Sequence, residues 1–177
     1  MNSFKNRIIR AAMLDVNLYE EVEADKGSMG QAMGIVVLSS IAAGVGLIEK
    51  GGFSGIFTGT IASLFGWYVW AYLTYFIGTK FLSEPQTKAD HGELLRTIGF
   101  SSSPGLIRVL GIIPGLGVVV FYTTSIWMLV AMVIAVRQAL DYNSTLRAVG
   151  VCVIGWFTQI LILMLLFSIL GGGAKPV

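Results

Sequence analysis

The charges of this 177-residue chain are confined to a few short stretches. Between them lie four runs without a single Asp, Glu, Lys or Arg, at 27–48, 51–79, 109–136 and 148–174. The shortest holds 22 residues, and roughly 20 apolar residues suffice to cross the hydrocarbon core of a bilayer. A hydrocarbon interior offers backbone groups no hydrogen-bond partner, and continuous apolar runs of this length meet that constraint as helices. The patterning therefore predicts an all-α, polytopic integral membrane protein.

Composition narrows the function classes. Charged residues make up 12% of the chain, half the usual share of about 25% in soluble domains. A net charge of +2 spread over loops offers no basic face to follow a nucleic-acid backbone, so nucleic-acid binding is excluded. The lone cysteine, Cys152, lies within an apolar run and reads as a packing residue. The lone histidine, His91, stands between Asp90 and Glu93 in a polar stretch, so no membrane-embedded histidine is available to ligate a haem or chlorophyll, and no cofactor is implied. No Ser/His/Asp or Cys/His set can be assembled, and no enzyme is expected. Asp90, His91 and Glu93 form too loose a pattern for a metal site and read as a solvated loop.

Residues 1–28 form a polar N-terminal segment, 29–171 the membrane domain and 172–177 a tail. Lys5, Arg7 and Arg10 alternate with Phe4, Ile8 and Ala11 at helical spacing, without the apolar core of a signal peptide. This suits either a short amphipathic helix on an anionic membrane surface or a solvated basic tail. A short acidic helix follows, with Asp15 and Asn17 as candidate N-caps and Glu20 placed for a capping box. Ser28 with Gln31 offers a second box, opening a first span at about 29–48. The polar turn Glu49–Gly52 joins it to an antiparallel second span at about 54–79, in which Trp67 and Trp70 lie too deep for an interfacial belt and are expected to pack against neighbours.

Residues 94–114 are apolar but carry Arg108, Pro104 and Pro114. They read either as a third spanning helix kinked at the prolines or as a re-entrant segment. Spans at about 115–138 and 146–171 follow. Counting Lys and Arg places the N-terminus in the cytoplasm, but nine of the twelve fall inside with either four or five spans, so the rule does not count helices. Gly30 and Gly34, Gly55 and Gly59, and Gly111 and Gly115 stand four apart, as helices in close contact require. Apart from Arg108, polar groups within the spans, among them Ser39, Ser40, Ser63, Thr124 and Gln159, are not ionisable.

Three stretches together resemble a known family. Met13–Asp25 with Ser28, Gln31 and Ala32 resembles the opening of prokaryotic Yip-domain proteins, relatives of the eukaryotic Ypt-interacting proteins. Ile98-Gly99-Phe100-Ser101 with Pro104, Ile113 and Pro114 is similar to that family's third-helix pattern, with Phe100 where tyrosine is usual. Arg137–Leu140 with Ser144, Arg147 and Ala148 resembles its last interhelical link. The resemblance implies a bundle of five transmembrane helices in a prokaryotic inner membrane, with the N-terminus cytoplasmic and the C-terminus outside. It favours the kinked third helix. Eukaryotic members bind Rab-type GTPases and carry a long cytoplasmic N-terminal region; with about 28 residues before the first span, Rab binding is not expected of this chain.

The expectation is a non-enzymatic scaffold or accessory subunit that associates laterally with other membrane proteins, or with itself, or organises lipid. Asp15, Tyr19, Asp25, Trp67, Trp70 and Arg108 are its candidate partner or lipid contacts. The competing expectation is a small transporter or channel whose broken third helix presents Arg108 to an anionic solute.

Overall fold

The computed structural model describes residues 3–171, and the tail 172–177 lies outside them. Among the described residues there is no β-strand; the α-helices are α1 Phe4–Ala12, α2 Val16–Ala24, α3 Met29–Gly46, α4 Ile48–Lys80, α5 His91–Ser101, α6 Gly117–Ala139 and α7 Thr145–Gly171. Four stretches are long and apolar enough to cross a membrane: Lys26–Gly46, Gly52–Lys80, Gly117–Ala139 and Thr145–Ile162. The multi-span, all-helical class read from the charge-free runs is the class observed.

The turn predicted at 49–52 is a single break at Gly52. Its φ of 60° lies in the left-handed region that glycine enters without strain, and it breaks the first turn of α4 from the rest of the helix, which runs back along α3. The two helices are antiparallel: Gly44 lies against Ile56, and the hydroxyls of Ser40 and Thr60 meet at 3.1 Å.

Residues 91–112 differ from one kinked helix. α5 opens with a capping box in which the Asp90 carboxylate accepts from the Glu93 amide at 2.8 Å and the Glu93 carboxylate from the Asp90 amide at 2.7 Å. The pair read as a solvated loop thus starts a helix. α5 stops at Ser101, and a 3-10 helix, Ser103–Ile112, continues the chain with Pro104 in its first turn. A 3-10 run of ten residues is long, since its hydrogen-bond geometry is poorer than that of an α-helix. It is held by close packing along α3: Gly99 on Ala32, Gly105 on Ser39, and Gly46 between Arg108 and Gly111. Both segments therefore advance in the same direction, and the contacts accompany α3 over 14 residues, about 21 Å of α-helical rise.

The N-terminal segment is not a solvated tail: it forms the expected short helix, and two of its three cations, Arg7 and Arg10, are turned to partners within the protein. Arg7 is buried, and its guanidinium donates to Glu21 at 2.9 Å, Asp25 at 2.8 Å and Gln31 at 3.0 Å. Arg10 donates to Asp15 at 2.7 Å and to the other oxygen of Glu21 at 2.6 Å. The basic α1 is thereby neutralised by the acidic α2 across the turn at Leu14. The predicted Ser28–Gln31 box does not form. Ser28 donates back to the carbonyls of Val22 and Asp25, and Gln31 serves Arg7 instead. Of the two candidate caps for α2, Asp15 holds the position, accepting from the Asn17 amide at 3.0 Å.

Arg96 of α5 ties the N-terminal unit to the bundle. Its buried guanidinium donates to the carbonyls of Val22, at 2.9 Å, and Glu23, which the end of α2 leaves without helical partners. Trp127 of α6 adds a bond from its indole to the Ala12 carbonyl at 2.8 Å. At the other end of α4, the Tyr142 hydroxyl donates to the Gly78 carbonyl at 2.8 Å, seating the α6–α7 turn.

Candidate functional site

α4 has an unusual division of side chains by size. Gly55, Gly59, Ser63 and Gly66 follow one another at spacings of four, four and three and so share one face. The opposite face carries Phe53, Phe57, Phe65, Tyr68 and Tyr72, all more than half exposed. Large rings turned outward meet lipid, and the small residues turned inward leave room.

The room is a cavity of about 1090 Å³ lined by α3, α4, α5, the 3-10 helix, α6 and α7. That is at the upper end of the volumes that hold small-molecule ligands. Its wall is mostly apolar, with Val36, Met128, Leu129, Met132, Val133 and Val153 facing the stripe of α4. The polar groups on it are Ser39, Ser40, Ser63, Ser102, Gln159, the indoles of Trp67 and Trp70, and Arg108; among the described residues none that lines it is acidic.

Two of these donors are unsatisfied. The Trp70 indole N–H is buried without a partner, whereas that of Trp67 donates to the Leu95 carbonyl at 3.0 Å. Arg108 donates from one terminal nitrogen to the Ser125 hydroxyl at 3.0 Å and lies 5.3 Å from the Phe121 ring centre, but its Nε is buried and unpartnered. A buried donor left unmade costs free energy, and a cation in an apolar setting costs more. The Arg108 backbone stands against Gly46, the last residue of α3, and its guanidinium reaches from that end of the bundle into α6 at Ser125.

The other candidate contacts are placed differently. Tyr19 is fully buried, its hydroxyl donating to the Ala11 carbonyl at 3.3 Å, and it offers no surface to an outside molecule. Asp15 and Asp25 are held by Arg10 and Arg7, and those hydrogen bonds keep both carboxyls below the ordinary aspartate range. Trp67 and Trp70 are turned into the bundle, as expected of residues too deep for the interface. Glu23, half-buried beside Asp141, Glu93 and Glu20, is pushed up to about 7, chiefly by desolvation and then by these like charges.

The glycine pairs largely fail as contact points. A β-carbon at Gly30, Gly55, Gly59 or Gly115 would meet nothing within 4 Å, and one at Gly34 only the Phe4 ring at 3.7 Å. Of these six, Gly111 alone lies in a close approach, where a β-carbon would come within 3.2 Å of the Gly46 carbonyl oxygen. Tight packing falls instead on Gly44, Gly46, Gly78, Gly99 and Gly105. Spacing of four places two glycines on one face but does not say what that face meets. The in-span Ser39, Ser40, Ser63 and Gln159 do converge on the cavity; Ser102, Met128 and Met132 carry no sequence signal that marks them for it.

His91 packs edge-on against Tyr68, Tyr72 and Tyr75, with ring centres 5.0, 5.8 and 6.4 Å away.

A family model described as the Yip1 domain matches residues 19–167. No curated protein and no solved structure matches the chain.

Proposed function

This chain belongs to the Yip1 domain family, and on that premise we propose that it is a non-enzymatic membrane scaffold that organises lipid, by holding lipid within its own helical bundle. The observation that carries this reading is the apolar cavity of about 1090 Å³ behind the Gly55–Gly59–Gly66 stripe. Among the forms such a scaffold can take, lateral capture of another membrane protein draws less support. Tyr19, Trp67 and Trp70 are turned inward, and Asp15 and Asp25 are occupied by arginines.

The proposed topology has five spans in a prokaryotic inner membrane, N-terminus inside and C-terminus outside. The parallel course of Gly99, Gly105 and Gly111 beside Ala32, Ser39 and Gly46 supports a crossing third element over a re-entrant one. A re-entrant segment would have to turn back, whereas these contacts advance from one end of α3 to the other.

The test is phospholipid retained per chain after repeated exchange into fresh mild detergent. Wild type is expected to keep a fixed, near-integral amount. Gly59→Leu, which projects into open space, is expected to lose it while remaining helical and monodisperse. Equal retention by wild type and Gly59→Leu overturns the reading.

A further inference from the structure

Resting on the lipid-holding reading, we infer that the cavity is a site for one anionic amphiphile. Its acidic headgroup would lie on Arg108, and its apolar chain would run down the α4 stripe towards Trp67. Charge complementarity points this way. Among the described residues Arg108 is the only ionised one lining the cavity, its Nε is buried and without a partner, and its one side-chain hydrogen bond there goes to a neutral hydroxyl. An uncompensated guanidinium in an apolar wall is costly, and an anionic oxygen is the group that relieves it.

The geometry has the polarity of a lipid leaflet. The Arg108 backbone stands at the Gly46 end of α3, its guanidinium reaches inward to Ser125 of α6, and the α4 stripe starts near the same end, where Ile56 lies against Gly44. From Gly55 to Trp70 the helix rises about 22 Å, the reach of a long chain that starts at the boundary and passes the midplane of a core about 30 Å thick. The ligand class is therefore a phosphate- or carboxylate-headed lipid from the leaflet opposite the N-terminal segment. A free anion would have no use for the apolar length, and an uncharged lipid none for Arg108.

The experiment is native mass spectrometry of the full chain in mild detergent after incubation with equal amounts of phosphatidylglycerol and phosphatidylcholine. One bound phosphatidylglycerol is expected, preferred at least tenfold over phosphatidylcholine. Arg108→Gln is expected to reduce that preference to near parity while lipid is still retained, and Arg108→Lys to restore most of it. Gly59→Leu and Gly66→Leu, both without a neighbour at the β-carbon, are expected to lose both lipids.

Parity between the lipids in wild type, or an undiminished preference in Arg108→Gln, overturns the anionic assignment. Retention that the leucine variants abolish would in that case leave the lipid-holding reading standing. Retention unaffected by either leucine variant overturns both. Inorganic phosphate that competes as well as the lipid would sink the amphiphile and leave a plain anion site.

Discussion

Gly105 packs on Ser39 so closely that a β-carbon on the glycine would overlap the serine hydroxyl. This contact locks the 3-10 helix against α3 at mid-length, with Gly99 on Ala32 and Gly111 on Gly46 to either side. Gly105→Ala is expected to destabilise the protein by about 1–3 kcal/mol, the usual cost of forcing an extra carbon into a packed interior. Gly55→Ala, whose β-carbon meets nothing, is expected to be neutral or to stabilise by up to about 1 kcal/mol through helix propensity. Thermal unfolding in one detergent would compare them, and an equal response of the two variants would refute the packing assignment.

The Arg7 network predicts a sharp contrast between two cations of one short helix. Arg7 is buried between Glu21, Asp25 and Gln31, while Lys5 is exposed. Arg7→Ala is expected to cost about 2 kcal/mol, less than a fully buried pair because Glu21 and Asp25 are partly open to water. Lys5→Ala should cost nothing measurable. Limited proteolysis of residues 1–28 provides the readout, with faster cleavage expected only in the Arg7 variant.

Opposite shifts on α2 and around it give a stability maximum in mild acid. The carboxyls of Asp15 and Asp25 are lowered by their arginines, so their contribution is complete above the unfolded aspartate range near 3.8 and is lost as pH falls through it. Glu23 behaves in reverse. Its folded value of about 7 exceeds the unfolded 4.5, so the native state holds the proton more tightly and stability declines as pH rises from 4.5 to 7. With Glu23 only half-buried, the decline is expected to be about 1 kcal/mol. Glu23→Gln should abolish that decline and leave the acid limb intact, as unfolding followed from pH 3 to 8 would show.

The five-span topology has a direct check on a Cys152→Ala background. A single cysteine placed at Gln86 lies in the α4–α5 connection, and one at Leu116 in the exposed turn before α6. Impermeant maleimide should reach the two from opposite faces of the membrane. Labelling of both from the same face would mean four spans and a re-entrant 91–112.

Much of this protein is legible in its amino-acid order. The charge-free runs set the membrane class and the places where helices begin and end. Glu49–Gly52 marks the hairpin, and Met13–Asp25, Ile98–Pro114 and Arg137–Ala148 together point to the family. All of this is local: hydropathy records the cost of leaving water, and a turn is made by adjacent residues.

What the tertiary structure decided is which face meets which. Arg7 finds Glu21 and Gln31 across 14 and 24 residues, and nothing in either residue's own surroundings announces the partner. Inside a bilayer, lipid-facing and neighbour-facing surfaces are equally apolar, so no hydrophobic periodicity distinguishes them. That is why the glycines of α4 could be recognised as a stripe yet not as the wall of a cavity, and why Ser39 and Gly105, 66 residues apart, come together only once the helices have packed.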